Sequence, residues 1–127
     1  MRNQPLIVVA DDDELLRSLV EFKLRGRGYD VVPAQDGEEA LKLVATHVPD
    51  LIVLDAMMPG RDGFAVLRQL KSDAKLADIP VVMLTARRLE SDIVGALQAG
   101  ASDYLIKPFS PEELAARVAR LLPLKDQ

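Results

Sequence analysis

Pro49-Asp50-Leu51-Ile52-Val53-Leu54-Asp55-Ala56-Met57-Met58-Pro59-Gly60 is the stretch on which the fold turns. Four consecutive apolar residues, Leu51 to Leu54, match a short strand buried on both faces. The run stops at Asp55, and Pro59-Gly60 then forbids further regular structure. A carboxylate therefore stands at the carboxyl end of a central strand, at the mouth of a loop. In open α/β sheets that edge is where ligands and chemistry gather.

The same pattern recurs on either side. Leu6 to Ala10 reads as a first strand ending in Asp11-Asp12-Asp13, followed by a helix with Leu16, Leu19, Val20 and Leu24 at helical spacing. Glycines 26 and 28 end that helix, and a shorter strand follows, centred on Val31-Val32. Asp36, with Glu39 three residues on, opens a helix that buries Ala40, Leu41 and Val44. Beyond Asp55, Asp62 precedes a helix carrying Val66, Leu67 and Leu70 on one face. Val81 to Leu84 is a fourth buried strand ending at Thr85-Ala86, and Ile93, Ala96, Leu97 and Gly100 then align along a helix. Asp103 to Ile106 makes a fifth strand ending at Lys107-Pro108. Ser110-Pro111-Glu112-Glu113 combines a capping box with proline at the first helical position. The last helix places Leu114, Val118, Leu121 and Leu122 inward. Five alternations of strand and helix predict a three-layer αβα domain, with a parallel sheet and right-handed crossovers.

A length of 127 residues suits one domain with one core, here set at 1–123 with a short tail at 124–127. The composition, 49% hydrophobic and 28% charged, is that of a folded globular chain. Absence of cysteine excludes disulfides, thiolate metal sites and thiol nucleophiles, and fits a reducing, cytoplasmic setting. The apolar segment after Pro5 is too short for a signal-peptide core or a membrane span. A net charge of −4 argues against direct nucleic-acid binding by this chain, because phosphate contacts dominate such affinity.

Bringing the strand ends to one edge gathers Asp11, Asp12, Asp55, Thr85 and Lys107. Carboxylates about 4 Å apart would repel by roughly 4 kcal/mol per pair at an effective dielectric near 20. Either one carboxyl keeps a proton or a hard cation binds, and carboxylates with a backbone carbonyl and waters suit Mg²⁺. A carboxylate beside a divalent ion and a lysine is equipped to attack phosphorus and hold an acyl phosphate. No histidine or cysteine falls near, so triad-type acyl transfer has no support.

Over nearly its whole length the chain resembles the receiver domain of two-component response regulators. The resemblance rests on Asp11-Asp12, Asp55 with Met58-Pro59-Gly60, Thr85-Ala86, and Gly100 to Tyr104 running into Lys107-Pro108-Phe109. It implies a flavodoxin-like sheet of order 2-1-3-4-5 and a phosphoryl group taken by Asp55 from a sensor histidine kinase or phosphotransfer protein. Asp11, Asp12, Asp55 and the backbone carbonyl of Met57 would form the Mg²⁺ site, with Mn²⁺ an acceptable substitute. Asp11 would act mainly through a coordinated water. Lys107, Thr85 and Ala86 would meet the phosphoryl group, Tyr104 would rotate inward, and the Lys107-Pro108 peptide would be cis. Autodephosphorylation would be the only further reaction, so the chain would be a switch and not an enzyme with external turnover. The segment 85–125 is most similar to the subfamily that carries a winged-helix DNA-binding domain. That likeness implies a homodimer through the fourth helix, fifth strand and fifth helix, using Glu90, Asp92, Asp103, Arg117 and Arg120. Ser102 departs from the acidic residue usual there. No output domain follows Leu122 in this sequence, which fits a single-domain regulator or a receiver from a longer chain.

Other readings carry less. An aspartyl-phosphate hydrolase would place a second acid two residues after the nucleophile, where this chain has Met57. A nucleotide-binding or flavodoxin-like module would need a Gly- or Ser/Thr-rich first turn in place of three aspartates. His47 reads as a surface cation at a helix C-terminus, and Arg87 and Arg88 as solvated, with Arg87 bordering the site.

Overall fold

The computed structural model describes residues 4–86 and 90–124, with the side chains of 90–92 outside that description. The order of elements is β1 Leu6–Ala10, α1 Glu14–Gly26, β2 Asp30–Ala34, α2 Gly37–His47, β3 Leu51–Asp55, α3 Gly63–Lys71, β4 Val81–Thr85, α4 Glu90–Gln98, β5 Asp103–Ile106 and α5 Pro111–Leu121. The strands pair in parallel in the order β2-β1-β3-β4-β5. Every residue of β1, β3 and β4 is buried, because helices cover both faces of the central strands.

The two-residue period of a strand divides the apolar side chains between two cores. Val8, Ala10, Ile52, Leu54, Val81 and Met83 pack with Ala40, Val44, Val66, Leu67, Leu70 and Ala96, beneath α2, α3 and α4. Ile7, Val9, Leu51, Val53, Val82, Leu84 and Leu105 pack with Val20, Leu24, Leu114 and Val118, beneath α1 and α5. Leu124 also reaches the second core, so packing extends past Pro123.

Helix starts follow the polar signals. Asp13, Asp36, Asp62 and Ser110 each cap a helix by accepting from the backbone N–H three residues on. Glu39 completes the second cap by accepting from the Gln35 N–H, one residue earlier than a standard capping box. Pro33 lies in β2, at the sheet edge, where a missing N–H is tolerated. Gly100 takes the left-handed backbone at the end of α4, with φ +111°.

Several side chains lie otherwise than their spacing suggests. Leu19 and Leu97, aligned with the inward residues of their helices, are 47% and 44% exposed. An apolar stripe wider than the buried face leaves its flank in water. Leu15 and Phe22 join Leu19 on the outer side of α1. Leu121, Leu122 and Leu41 are half-buried only. Val48 ends α2 in the left-handed region at φ 43°, a conformation disfavoured for a β-branched residue.

Candidate functional site

The parallel register brings the strand ends together. Ala10 lies opposite Leu54, Asp55 opposite Leu84, and Thr85 opposite Ile106, so β1, β3, β4 and β5 all finish on one edge. The Asp11 N–H donates to the Ala34 carbonyl at 3.1 Å and the Lys107 N–H to the Thr85 carbonyl at 2.7 Å, which carries the pairing one residue past the strands. Gly63, the first residue of α3, lets that helix start hard against β3. A Cβ there would lie 2.2 Å from the Asp55 carbonyl oxygen.

Asp11, Asp12 and Asp55 each offer a carboxylate oxygen within 4.8 Å of the others. Asp11 and Asp55 are buried, at 1% and 2% exposure, while Asp12 faces solvent. Lys107 Nζ lies 3.2 Å from Asp11 Oδ2 and 3.3 Å from Asp55 Oδ2. Asp11 Oδ1 accepts from the Asp13 N–H at 2.9 Å, and Asp55 Oδ1 from the Met57 N–H at 3.2 Å. Asp11 Oδ2 is served by the Lys107 ammonium at 3.2 Å and has no other donor among the described residues, so this buried oxygen depends on a cation it shares with Asp55.

One ammonium does not balance three carboxylates. Burial, and then the Asp11 charge, push the Asp55 carboxyl up to about 7, against smaller pulls from the Met57 N–H and Lys107. Burial draws the Lys107 ammonium down, but Asp11 and Asp55 outweigh it and hold its pKa above the ordinary lysine value. A buried acid whose pKa is raised to about 7, beside a second buried carboxylate that shares the same ammonium, is a set of hard oxygen donors short of positive charge. The donor set fits a hard divalent cation.

Thr85 is buried at the last position of β4, and Ala86 beyond it is exposed. Tyr104 is half-buried against the core under α2, α3 and α4. Met57 is 52% exposed, and its amide is the group tied to Asp55. The Lys107-Pro108 peptide is cis. Asp103 is bound within the chain, accepting from Arg117 Nη1 at 2.8 Å and pairing also with Arg120. Glu90 and Asp92 have side chains outside the described residues, and Arg87 and Arg88 lie outside them altogether. Arg17, which the spacing of motifs does not single out, donates from Nη1 to the Asp11 carbonyl at 2.8 Å. Its one sequence signal is a cation in the fourth position of a helix opened by acids.

A five-stranded parallel αβα sheet of this strand order, with an acid cluster and a lysine at its carboxyl edge, is the architecture of a receiver-type domain. Residues 7–119 match the response regulator receiver domain family, and the chain belongs to it. It is 49% identical over 116 residues to the alkaline phosphatase synthesis transcriptional regulatory protein PhoP of Bacillus subtilis, covering 91% of this chain and 48% of that protein. Identity to the response regulator MprA of Mycolicibacterium vanbaalenii is 51%, covering 91% of this chain and 49% of that protein. The chain thus spans about half the length of the curated relatives it matches. The Francisella response regulator 1452 receiver domain superposes with a TM-score of 0.87 at 39% identity, covering 93% of this chain and 96% of that one. Among the described residues no helix is long and apolar enough to cross a membrane.

Proposed function

We propose that Asp55 accepts a phosphoryl group from a phosphohistidine on a sensor kinase or phosphotransfer protein, in a Mg²⁺-dependent reaction. The observation that carries this reading is the convergence of the Asp11, Asp12 and Asp55 oxygens within 4.8 Å, with Lys107 touching two of them. A carboxylate oxygen of Asp55 forms the new bond to phosphorus. The bond from phosphorus to the donor imidazole nitrogen breaks, and its electron pair stays on the imidazole. Bound Mg²⁺ would supply charge compensation for the acids and the phosphoryl oxygens. Asp11, Asp12, Asp55 and the Met57 carbonyl would hold it, with Mn²⁺ as a substitute.

Lys107, released from sharing its charge between two carboxylates, pairs with phosphoryl oxygens. The Thr85 hydroxyl and the Ala86 backbone turn toward them, and Tyr104 moves into the space vacated. The change reaches the face made by α4, β5 and α5, where Asp103, Arg117 and Arg120 exchange internal partners for a second copy or an output domain. The outer stripe of α1, Leu15, Leu19 and Phe22, starts beside the pocket and gives an incoming phosphodonor protein an apolar footing. Slow hydrolysis of the acyl phosphate resets the switch, and the location is cytoplasmic.

Incubation with Mg²⁺ and acetyl phosphate, followed by intact-mass and peptide mapping, tests the reading. One base-labile phosphoryl group on Asp55, absent in Asp55→Asn, is expected. Steady phosphate release from many small esters, without a labelled protein, would overturn it in favour of a hydrolase.

A further inference from the structure

Asp12 is exposed, so no packing dictates where its carboxylate points, yet one of its oxygens lies within reach of two buried acids. The backbone that carries it is held on several sides. The Asp11 carbonyl and the Asp12 N–H are two ends of one rigid peptide plane. The Asp11 carbonyl accepts from Arg17 Nη1 at 2.8 Å, across six residues and from the next helix. Around it, the Asp11 N–H is tied to Ala34, Asp11 Oδ1 to the Asp13 N–H, and Asp13 Oδ1 to the Leu16 N–H. Three members of this set are charge-assisted, and the Arg17 contact is the one of them made directly to the peptide plane preceding Asp12.

We propose that Arg17 is a positioning residue of the acid pocket, holding the Asp11–Asp12 peptide so that Asp12 presents its oxygen alongside Asp11 and Asp55 to a divalent cation. This rests on the reading that the pocket binds such an ion. Three roles for Arg17 predict three signs. As a mere nearby positive charge, its removal tightens cation binding. As a fold-stabilising tie, its removal lowers stability and leaves affinity unchanged. As a positioning residue, its removal weakens binding, as loss of an outer support of a metal site commonly does.

Mn²⁺ titration of the unphosphorylated chain, read by electron paramagnetic resonance of the free ion, separates them. Arg17→Met is expected to raise the Mn²⁺ dissociation constant about tenfold. Arg17→Lys, which keeps one donor, is expected to fall between, and it serves also should Arg17→Met not fold. In an Asp12→Asn background, Arg17→Met should add little, because the two act through one ligand. Unchanged or tighter Mn²⁺ binding in a folded Arg17→Met or Arg17→Lys overturns the assignment and leaves the cation site standing. No Mn²⁺ binding by the unmutated chain overturns both.

Discussion

Replacing Asp55 with asparagine should make the metal-free protein more stable, by an amount that grows with pH. The Asp55 carboxyl is 2% exposed and its pKa is raised from 3.8 to about 7, first by burial and then by Asp11. Between about pH 4 and pH 7 the folded chain therefore keeps a proton that the unfolded chain has lost. Stability from this group is complete below pH 4 and is lost as pH rises through 7. About three pK units correspond to about 4 kcal/mol over the whole window, of which about 3 kcal/mol falls between pH 5 and pH 8. Asp55→Asn keeps the shape and an acceptor for the Met57 N–H, and Lys107 keeps Asp11. Urea unfolding in EDTA at pH 5, 6, 7 and 8, for both proteins, reads the acid pocket, since titrating groups other than Asp55 and its partners Asp11 and Lys107 cancel in the difference. At a urea dependence of about 1–3 kcal/mol per molar, the gap between midpoints should widen by about 1 M or more from pH 5 to pH 8. A constant or shrinking gap would show that Asp55 ionises without penalty, and that the pocket is not short of positive charge.

Adding MgCl₂ at pH 8 should raise the midpoint of the unmutated chain and do little at pH 5 or in Asp55→Asn, which calorimetry or urea unfolding will show. Gly63→Ala should cost about 3 kcal/mol or more, because the new Cβ meets the backbone of Asp55 and Ala56 and neither can move without shifting β3; chemical denaturation measures it. Val48→Asn should stabilise by about 1 kcal/mol, since asparagine tolerates the left-handed backbone that strains valine, with phosphorylation by acetyl phosphate unaltered.

The sheet was legible because parallel strands buried on both faces leave continuous apolar runs, and β1, β3 and β4 are such runs. The acids and lysine were legible because each follows its run directly. The caps at Asp13, Asp36, Asp62 and Ser110 were legible because capping is a local contact. What escaped depends on how loops and covering elements are placed in space, which residue type and period do not show. Leu19 and Leu97 share the helical period of buried residues, and only the width of the covering layer decides that they face water. Lys71 Nζ donates to the Ala77 and Ile79 carbonyls, and burial lowers its pKa, although nothing in its sequence context distinguishes it from a surface lysine. Arg17 reaches back to the Asp11 carbonyl across the turn that joins β1 to α1. The intrachain partners of Asp103 come from another element, so a charge pattern alone fits pairing within the chain as well as between copies.

Pro33 bears on how copies of this chain meet. Asp30 donates its N–H inward to Pro5, so alternation turns the amide positions of residues 31 and 33 toward the open side of β2. A foreign strand laid along that side would find a pyrrolidine ring where a donor is needed, and the opposite margin of the sheet is a strand of only four residues. Cross-β growth is thus discouraged at both margins, and association is steered onto helical surfaces, where side-chain chemistry can be altered by a signal.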